Sequence, residues 1–295
     1  MSLDTSSGLH PALTLGSSLP STGVAENGTH LYVSFAELIM ENVFYHPEFK
    51  KHLRELSDVE KSSIDAILGE QSVEEHFVST LVESVKSAVT PQHTSIRVSL
   101  SNGDSYAFSS LLGGKVEAVE VNPALGLRGV SRYASEQFGA TFALECQAIK
   151  VLQDEGITVD IVVPFVRALS DAAKVIDLLA EQGLPRGLNG LKILYTVDVP
   201  SSALLADRLL HYFDGVVINL ENLAQYTLGV DRLSESLEYL FDPQSEAVLE
   251  LVDAVVKAAE ASNKPILLTS SNLMEYRKVQ EYIVEHQSIN AVVTL

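Results

Sequence analysis

Short apolar runs alternate with longer amphipathic stretches along most of this chain. The runs are typical of buried strands, and the stretches between them carry apolar side chains at helical spacing. The predicted strands are 30–34, 94–100, 117–121, 158–163, 191–197, 216–218, 265–268 and 289–294. Because strands that alternate with helices run parallel, the pattern favours an α/β fold, a closed (β/α)8 TIM barrel. A doubly wound open sheet is the alternative, and the absence of a glycine-rich phosphate loop after the first strand counts against it.

The first 25 residues are rich in Ser, Thr, Gly and Pro and contain few large apolar side chains. We therefore expect residues 1–25 to form a mobile leader. Residues 26–295 are then expected to form a single barrel domain. The last predicted strand lies at the end of the sequence, so either the closing helix is missing or the leader covers that gap.

Composition narrows the function classes. The 295 residues include 39 acidic and 20 basic side chains, which gives a formal net charge of −19. Such a field repels phosphate backbones and anionic lipid, so we expect neither a nucleic-acid nor a membrane partner. The single cysteine, Cys146, argues for a reducing, cytoplasmic location and is expected to be a buried apolar group. The eight histidines show no pair at metal-ligand spacing.

Residues 213–232 carry the densest polar cluster that follows a predicted strand. The run 216–218 is β-branched, and Asn219, Glu221, Asn222 and Gln225 come directly after it. Ligands of α/β proteins collect outside the carboxyl ends of the strands, so this cluster is a candidate site. The alternative is a solvated strand-to-helix connection with an asparagine cap.

Arginines also lie near the ends of predicted strands. Arg97, Arg128 and Arg232 converging at one barrel mouth would suit a small phosphorylated or carboxylated ligand, because guanidinium groups bind such oxygens bidentately. Asp198 with a second carboxylate would suit Mg²⁺. The alternative is that each arginine makes a buried ion pair that braces the barrel.

Six segments between residues 122 and 243 resemble a known family. They are similar, in order, to the carboxy-terminal phosphoenolpyruvate- and pyruvate-binding barrel of the phosphoenolpyruvate synthase family, with pyruvate phosphate dikinase and enzyme I of the sugar phosphotransferase system as more distant relatives. The segments read NPALGLRGVSRY, FALECQAI, IVVPFVRAL, GLPRGLNGLKI, VPSSALLADRLLHYFDG and QYTLGVDRLSESLEYLFDP.

The resemblance implies a mouth that binds phosphoenolpyruvate or pyruvate through arginines and Mg²⁺. By position, Arg97, Arg128 and Arg232 match arginines that the family places around the ligand, and Gln225 also fits. The metal-binding positions differ from the family pattern. A glutamate of the family is Asp198 here, and an Asn-Asp pair is Glu221-Asn222, so Mg²⁺ is a doubtful cofactor held at best by these three residues.

Two further departures concern the family's chemistry. Thr269 stands where the family has a cysteine that exchanges a proton with pyruvate, and an alcohol is too weak an acid to replace it near neutral pH. Ser34 stands where the family has an arginine.

Three hypotheses for function remain open. The first is a catalytically degenerate barrel that binds a small anion as a regulatory module. The second is a partner-dependent phosphotransferase, because the family's nucleotide-binding and phosphohistidine domains do not fit within 295 residues and a partner would have to carry the phosphohistidine. The third is a Mg²⁺-dependent lyase or aldolase acting on a pyruvate-like enolate. Relatives pair through this barrel, so a homodimer is expected.

Overall fold

Eight parallel strands close into one barrel in the computed structural model, which describes residues 8–24 and 26–295. Each strand pairs with the next in the sequence, and β1 closes the ring on β8, with Leu15 opposite Ala291. The strands are β1 (Leu15–Leu19), β2 (His30–Ser34), β3 (Ser95–Ser99), β4 (Asp160–Val163), β5 (Ile193–Val197), β6 (Gly215–Asn219), β7 (Ile266–Ser270) and β8 (Ile289–Val293). The closed TIM barrel is confirmed, and the open sheet is excluded.

Helices cover the outside of the barrel, and capping boxes begin two of them, Ser57 with Glu60 and Ser72 with Glu75. The α-helices are α1 (Phe35–Leu38), α2 (Asp58–Leu68), α3 (Val73–Ala88), α4 (Ser105–Ser109), α5 (Val130–Tyr133), α6 (Gly139–Asp154), α7 (Leu169–Glu181), α8 (Pro200–Leu204), α9 (Ala206–Leu209), α10 (Leu220–Leu228), α11 (Glu246–Ala261) and α12 (Arg277–Glu285). A π-helical segment spans Ile39–Val43, and 3-10 turns span Phe49–His52, Gly114–Val116, Pro123–Leu125, Leu188–Gly190, Glu235–Leu240 and Leu273–Glu275.

The sequence-based strand prediction misses one strand and places one wrongly. The missed strand is β1, which lies inside the segment 1–25 that was expected to be a mobile leader; residues 1–7 and 25 of that segment lie outside the described part. Residues 117–121 form no strand. Val119 and Val121 are almost fully exposed, whereas Glu117 is buried and hydrogen-bonded to His46 and Arg132. Ion pairing, not strand pairing, therefore holds this segment.

The barrel has an outer and an inner core. Along β6, Val216 and Ile218 face the outer layer of helices, while Val217 belongs to a separate inner cluster. That inner cluster consists of Tyr32, Val162, Leu194, Val217, Leu267 and Val292. By the same alternation, β1 to β3 turn mostly polar or small residues inward: Gly16, Ser18, His30, Arg97 and Ser99. The barrel interior is therefore apolar on one side and polar on the other.

Cys146 is fully buried in α6, and burial raises the pKa of its thiol far above the ordinary value. Over residues 8–24 and 26–295, no helix combines the length and the apolar character needed to cross a bilayer.

Candidate functional site

A cavity of about 350 Å³ opens at the carboxyl ends of the strands. Residues that follow or end β2, β3, β6 and β7 form much of its wall, as expected for a TIM barrel. Its polar and charged lining includes Ser34, Glu37, Asn102, Asp104, Arg128, Asn219, Glu221, Asn222, Arg232, Thr269 and Ser271. The cavity brings together five of the eight residues singled out from the sequence as ligand, metal or catalytic positions: Arg128, Arg232, Glu221, Asn222 and Thr269.

Arg128 is the most rigidly held cation of this wall. Its Nε and Nη2 donate to the Asn102 carbonyl oxygen at 3.1 and 2.8 Å, and its Nη1 donates to the Tyr226 hydroxyl at 3.0 Å and to the Ala124 carbonyl oxygen at 3.4 Å. The residue is 8% exposed. Within the described ranges, none of these partners is a carboxylate. Since a guanidinium carries five N–H groups, one of them stays available for a ligand.

The Phe165 ring supports Arg128 from below. The Arg128 guanidinium carbon lies 4.1 Å from the ring centroid, a cation–π contact, and Arg167 lies 5.1 Å from the same ring. Phe165 has a φ of +54°, which is rare for a bulky residue, and its N–H donates to Asp198 Oδ2 at 2.9 Å. Gly129 also has a positive φ of 56°, and a Cβ there would come within 2.5 Å of the Phe165 Cβ. The sequence Arg128-Gly129 therefore lets the ring pack under the guanidinium.

Arg232 also lines the cavity but is exposed. Its backbone N–H donates to Gln225 Oε1 at 3.1 Å. Gln225 does not line the cavity; it lies in a neighbouring depression beside Tyr226. Gln225 thus holds the loop that carries Arg232 and makes no direct contribution to the cavity wall.

Arg97 lies below the mouth, inside the barrel. It pairs in register with Tyr32 and Asp160, two residues before the end of β3, and it does not line the cavity. The residue is 5% exposed, and its Nε and Nη1 have no hydrogen-bond partner among the described residues. Burial lowers the pKa of Arg97, and the charge of Asp160 opposes that shift. The expectation of three arginines converging over the mouth is therefore wrong for Arg97.

The three candidate metal ligands are engaged with one another and with the backbone. Asp198 is fully buried and accepts from Asn222 Nδ2 at 2.7 Å and from the Phe165 N–H, and burial raises its pKa. Glu221 Oε1 accepts from Ser270 Oγ at 2.6 Å and from the Ser271 N–H at 2.9 Å.

Mg²⁺ binding needs accessible, ionised oxygens, whereas Asp198 does not line the cavity. Over the described ranges, no cluster of three His, Cys, Asp or Glu residues is placed to hold a metal ion. As arranged, these residues do not fit a Mg²⁺ site.

Thr269 lies in the cavity wall, and its hydroxyl is 3.4 Å from the Ile218 carbonyl oxygen. It has no hydrogen bond to a carboxylate or imidazole among the described residues, so nothing in its surroundings activates the hydroxyl as a proton donor. The carboxylates of Glu37 and Asp104 also face this space. Asp104 caps α4 through the Ala107 N–H, and burial raises the pKa of Glu37. The wall therefore combines two cations with three acidic side chains.

Several residues of this site were not singled out from the sequence. Asn102, Phe165, Tyr226 and Glu37 come from four separate segments and meet only in the folded barrel. A signal for Phe165 existed, because it follows Pro164 directly after a predicted strand.

The chain belongs to the family of PEP-utilising enzymes, and its residues 62–270 match the PEP-binding domain of that family. It is 39% identical to a phosphoenolpyruvate synthase of Pseudomonas aeruginosa, over 80% of this chain and 30% of that protein. It is 35% identical to a phosphoenolpyruvate synthase of Deinococcus radiodurans, over 93% of this chain and 35% of that protein. The chain thus spans about a third of the length of these curated relatives.

Among solved structures, a citrate synthase with 12% sequence identity aligns over 74% of this chain and 71% of its own chain, with a TM-score of 0.41.

Proposed function

We propose that the mouth of this barrel binds a small anion of the phosphoenolpyruvate or pyruvate type and that the barrel acts as a binding or regulatory module without catalysing proton transfer. The observation that carries the proposal is the Arg128 guanidinium. It is buried, oriented by four hydrogen bonds and stacked on Phe165, yet no carboxylate among the described residues pairs with it. A buried cation that no carboxylate contacts directly is stabilised by an anionic ligand.

Two observations support the absence of proton-transfer catalysis. Thr269 stands where the family resemblance leads us to expect a proton-exchanging cysteine, and the buried Cys146 lies elsewhere, in α6. The two Asp198 carboxylate oxygens accept hydrogen bonds from the Asn222 amide and the Phe165 N–H, so a metal ion would have to displace both hydrogen bonds.

A second candidate is a partner-dependent phosphotransferase of the same class, with a phosphohistidine supplied by another protein and Mg²⁺ at the mouth. One observation favours it: Glu221 and Asn222 both line the cavity, although the hydrogen bonds that now engage Glu221 and Asp198 would have to break before Mg²⁺ could bind. A Mg²⁺-dependent lyase acting on a pyruvate-like enolate would need the same ion. We further propose a cytoplasmic homodimer, as in the family.

Calorimetric titration with oxalate, pyruvate and phosphoenolpyruvate, each with and without Mg²⁺, tests these proposals. We expect oxalate to bind without metal, and Arg128→Ala to weaken that binding by roughly a hundredfold, because it removes a desolvated charge from the pair. The matched control is Arg277→Ala, which removes an exposed arginine and should leave binding unchanged. Binding that requires Mg²⁺ would favour the second candidate, and the absence of all binding would overturn the anion site.

A further inference from the structure

Ser101 lies in the loop that follows β3, and each of its polar groups makes a hydrogen bond to a helix. Two of these bonds go to α6 and one goes to α5. Its N–H donates to Glu145 Oε2 at 2.8 Å and its hydroxyl donates to Glu145 Oε1 at 2.5 Å. Its carbonyl oxygen accepts from the Tyr133 hydroxyl at 2.7 Å. Ser101, Tyr133 and Glu145 are all buried. Because water does not compete there, these hydrogen bonds fix the position of the peptide.

The residue after Ser101 holds the anion-site arginine. The Asn102 carbonyl oxygen accepts from both Nε and Nη2 of Arg128, so its direction determines the plane of the guanidinium. Asn102 itself lines the cavity. A continuous series of hydrogen bonds and one peptide therefore leads from the Glu145 carboxylate in α6 to the mouth.

We propose that Glu145 is a positioning residue: it fixes the Ser101–Asn102 segment and thereby sets the orientation of Arg128 toward an anionic ligand. The part of this inference that concerns ligand affinity rests on the proposed anion site. Glu145 itself does not line the cavity, so its effect on a ligand has to pass through Asn102 and Arg128.

The protonation state of Glu145 changes the strength of this support. The carboxylate accepts from both donors of Ser101, whereas the acid would present an O–H to one of them. Burial raises the pKa of Glu145 to about 7, against hydrogen bonds from Ser101 and the charge of Arg132, which lower it. The other titratable groups coupled to it are Tyr133 and Cys146. The orientation of Arg128 should therefore change with pH around neutrality.

The Nε–H resonance of Arg128 in ¹⁵N-labelled protein reports this coupling without any ligand. In the wild type we expect it to shift between pH 6 and pH 8. In Glu145→Gln it should stay close to its wild-type position at pH 6. The matched control, Asp154→Asn, removes a charge from the exposed end of the same helix and should retain the wild-type shift. An Arg128 resonance that has the same position at pH 8 in Glu145→Gln as in the wild type, or that keeps the wild-type shift in this variant, would overturn the inference.

Oxalate affinity gives the second readout. At pH 8, Glu145→Gln should weaken oxalate binding roughly fivefold, the size expected for one ordinary hydrogen bond, because the change reaches the ligand only through Asn102 and Arg128. In an Arg128→Lys background the same change should have no effect, whereas a merely structural role would give the same loss in both backgrounds.

If Glu145→Gln does not fold, Tyr133→Phe replaces it, since this change removes the hydrogen bond to the Ser101 carbonyl and should also displace the Arg128 resonance. If oxalate fails to bind the wild type, the proposed function fails, and the Arg128 resonance still decides the role of Glu145.

Discussion

Two buried arginines of this barrel occupy opposite kinds of surroundings. Arg128, at the mouth, gives its donors to two carbonyl oxygens and a tyrosine hydroxyl and stacks on Phe165. Arg97, inside the barrel, leaves its Nε and Nη1 without partners and lies near His30 and Asp160. Burial alone therefore does not define a binding arginine. An oriented guanidinium with an open side is prepared for a ligand, whereas an unsatisfied one costs stability.

The most sensitive comparison is that of oxalate affinity in Arg128→Lys and Arg97→Lys. Both changes keep the positive charge. Lysine cannot reproduce the fork that bridges Asn102 and Tyr226, so we expect Arg128→Lys to weaken binding by roughly thirtyfold, or about 2 kcal/mol. Arg97→Lys should leave affinity within about twofold. Equal losses in the two variants would remove the distinction between mouth and interior.

The stability of the barrel should decrease in acid because of His30, which lies in its interior. Burial, together with the charge of Arg97, lowers the pKa of His30 to about 4, so the folded state holds this imidazole neutral while the unfolded chain protonates near pH 6.5. The unfolded state therefore binds more protons between these values. The contribution of neutral His30 to the free energy of unfolding is present above about pH 6.5 and is lost as pH falls toward 4. Its magnitude is about 2 kcal/mol after allowance for partial solvation.

Urea denaturation from pH 4 to pH 7 measures that loss. In His30→Gln this component of the pH dependence should disappear. A variant whose stability falls with acid as steeply as that of the wild type would show that other groups are responsible.

Replacing Arg97 by an apolar residue should stabilise the barrel. Arg97→Met removes two unpartnered buried donors and keeps most of the side-chain volume, so we expect the free energy of unfolding to rise by about 1 kcal/mol. Urea denaturation at pH 7 gives the value. The same substitution at Arg128 is the control and should lower stability, because the Asn102 carbonyl oxygen loses both of its donors from that side chain. A loss in Arg97→Met would indicate that Arg97 is paired in solution.

The smallest expected effect concerns the acidic side of the mouth. Glu37 lines the cavity and is electrostatically coupled to Arg232. Neutralising it in Glu37→Gln should tighten oxalate binding about threefold, the size typical of a partly solvated charge interaction. Glu41→Gln, one turn further along the chain and outside the cavity wall, is the matched control. Weaker binding in Glu37→Gln would instead mean that Glu37 orients the ligand or Arg232.

The same comparison explains what the sequence could and could not predict. Arg128 lines the mouth cavity, and its place in the irregular segment that follows β3 is the sequence feature that indicates this position. Arg97, in contrast, stands in the middle of β3, level with Tyr32, where an inward side chain starts well below the rim, so it does not reach the mouth cavity. The ring and hydroxyl that orient Arg128 come from Phe165 and Tyr226, and no local pattern links these positions.

Two segments, β1 and the run 117–121, show where local composition misleads strand prediction. β1 reads LGSSL and has little of the apolar signature of a strand, because its inward residues must be small. A Cβ at Gly16 would lie 2.2 Å from the His30 ring. The run 117–121 had the composition of a strand but lies on the surface beyond a buried ion pair. Tertiary contacts overrode propensity in both cases.

A crystal structure of the protein with oxalate decides whether Arg128 or Arg97 binds the anion. We expect oxalate at the barrel mouth, with a carboxylate oxygen within hydrogen-bond distance of the Arg128 guanidinium and Arg97 still inside the barrel. Oxalate bound to Arg97, or a mouth left without ligand under saturating oxalate, would contradict this expectation.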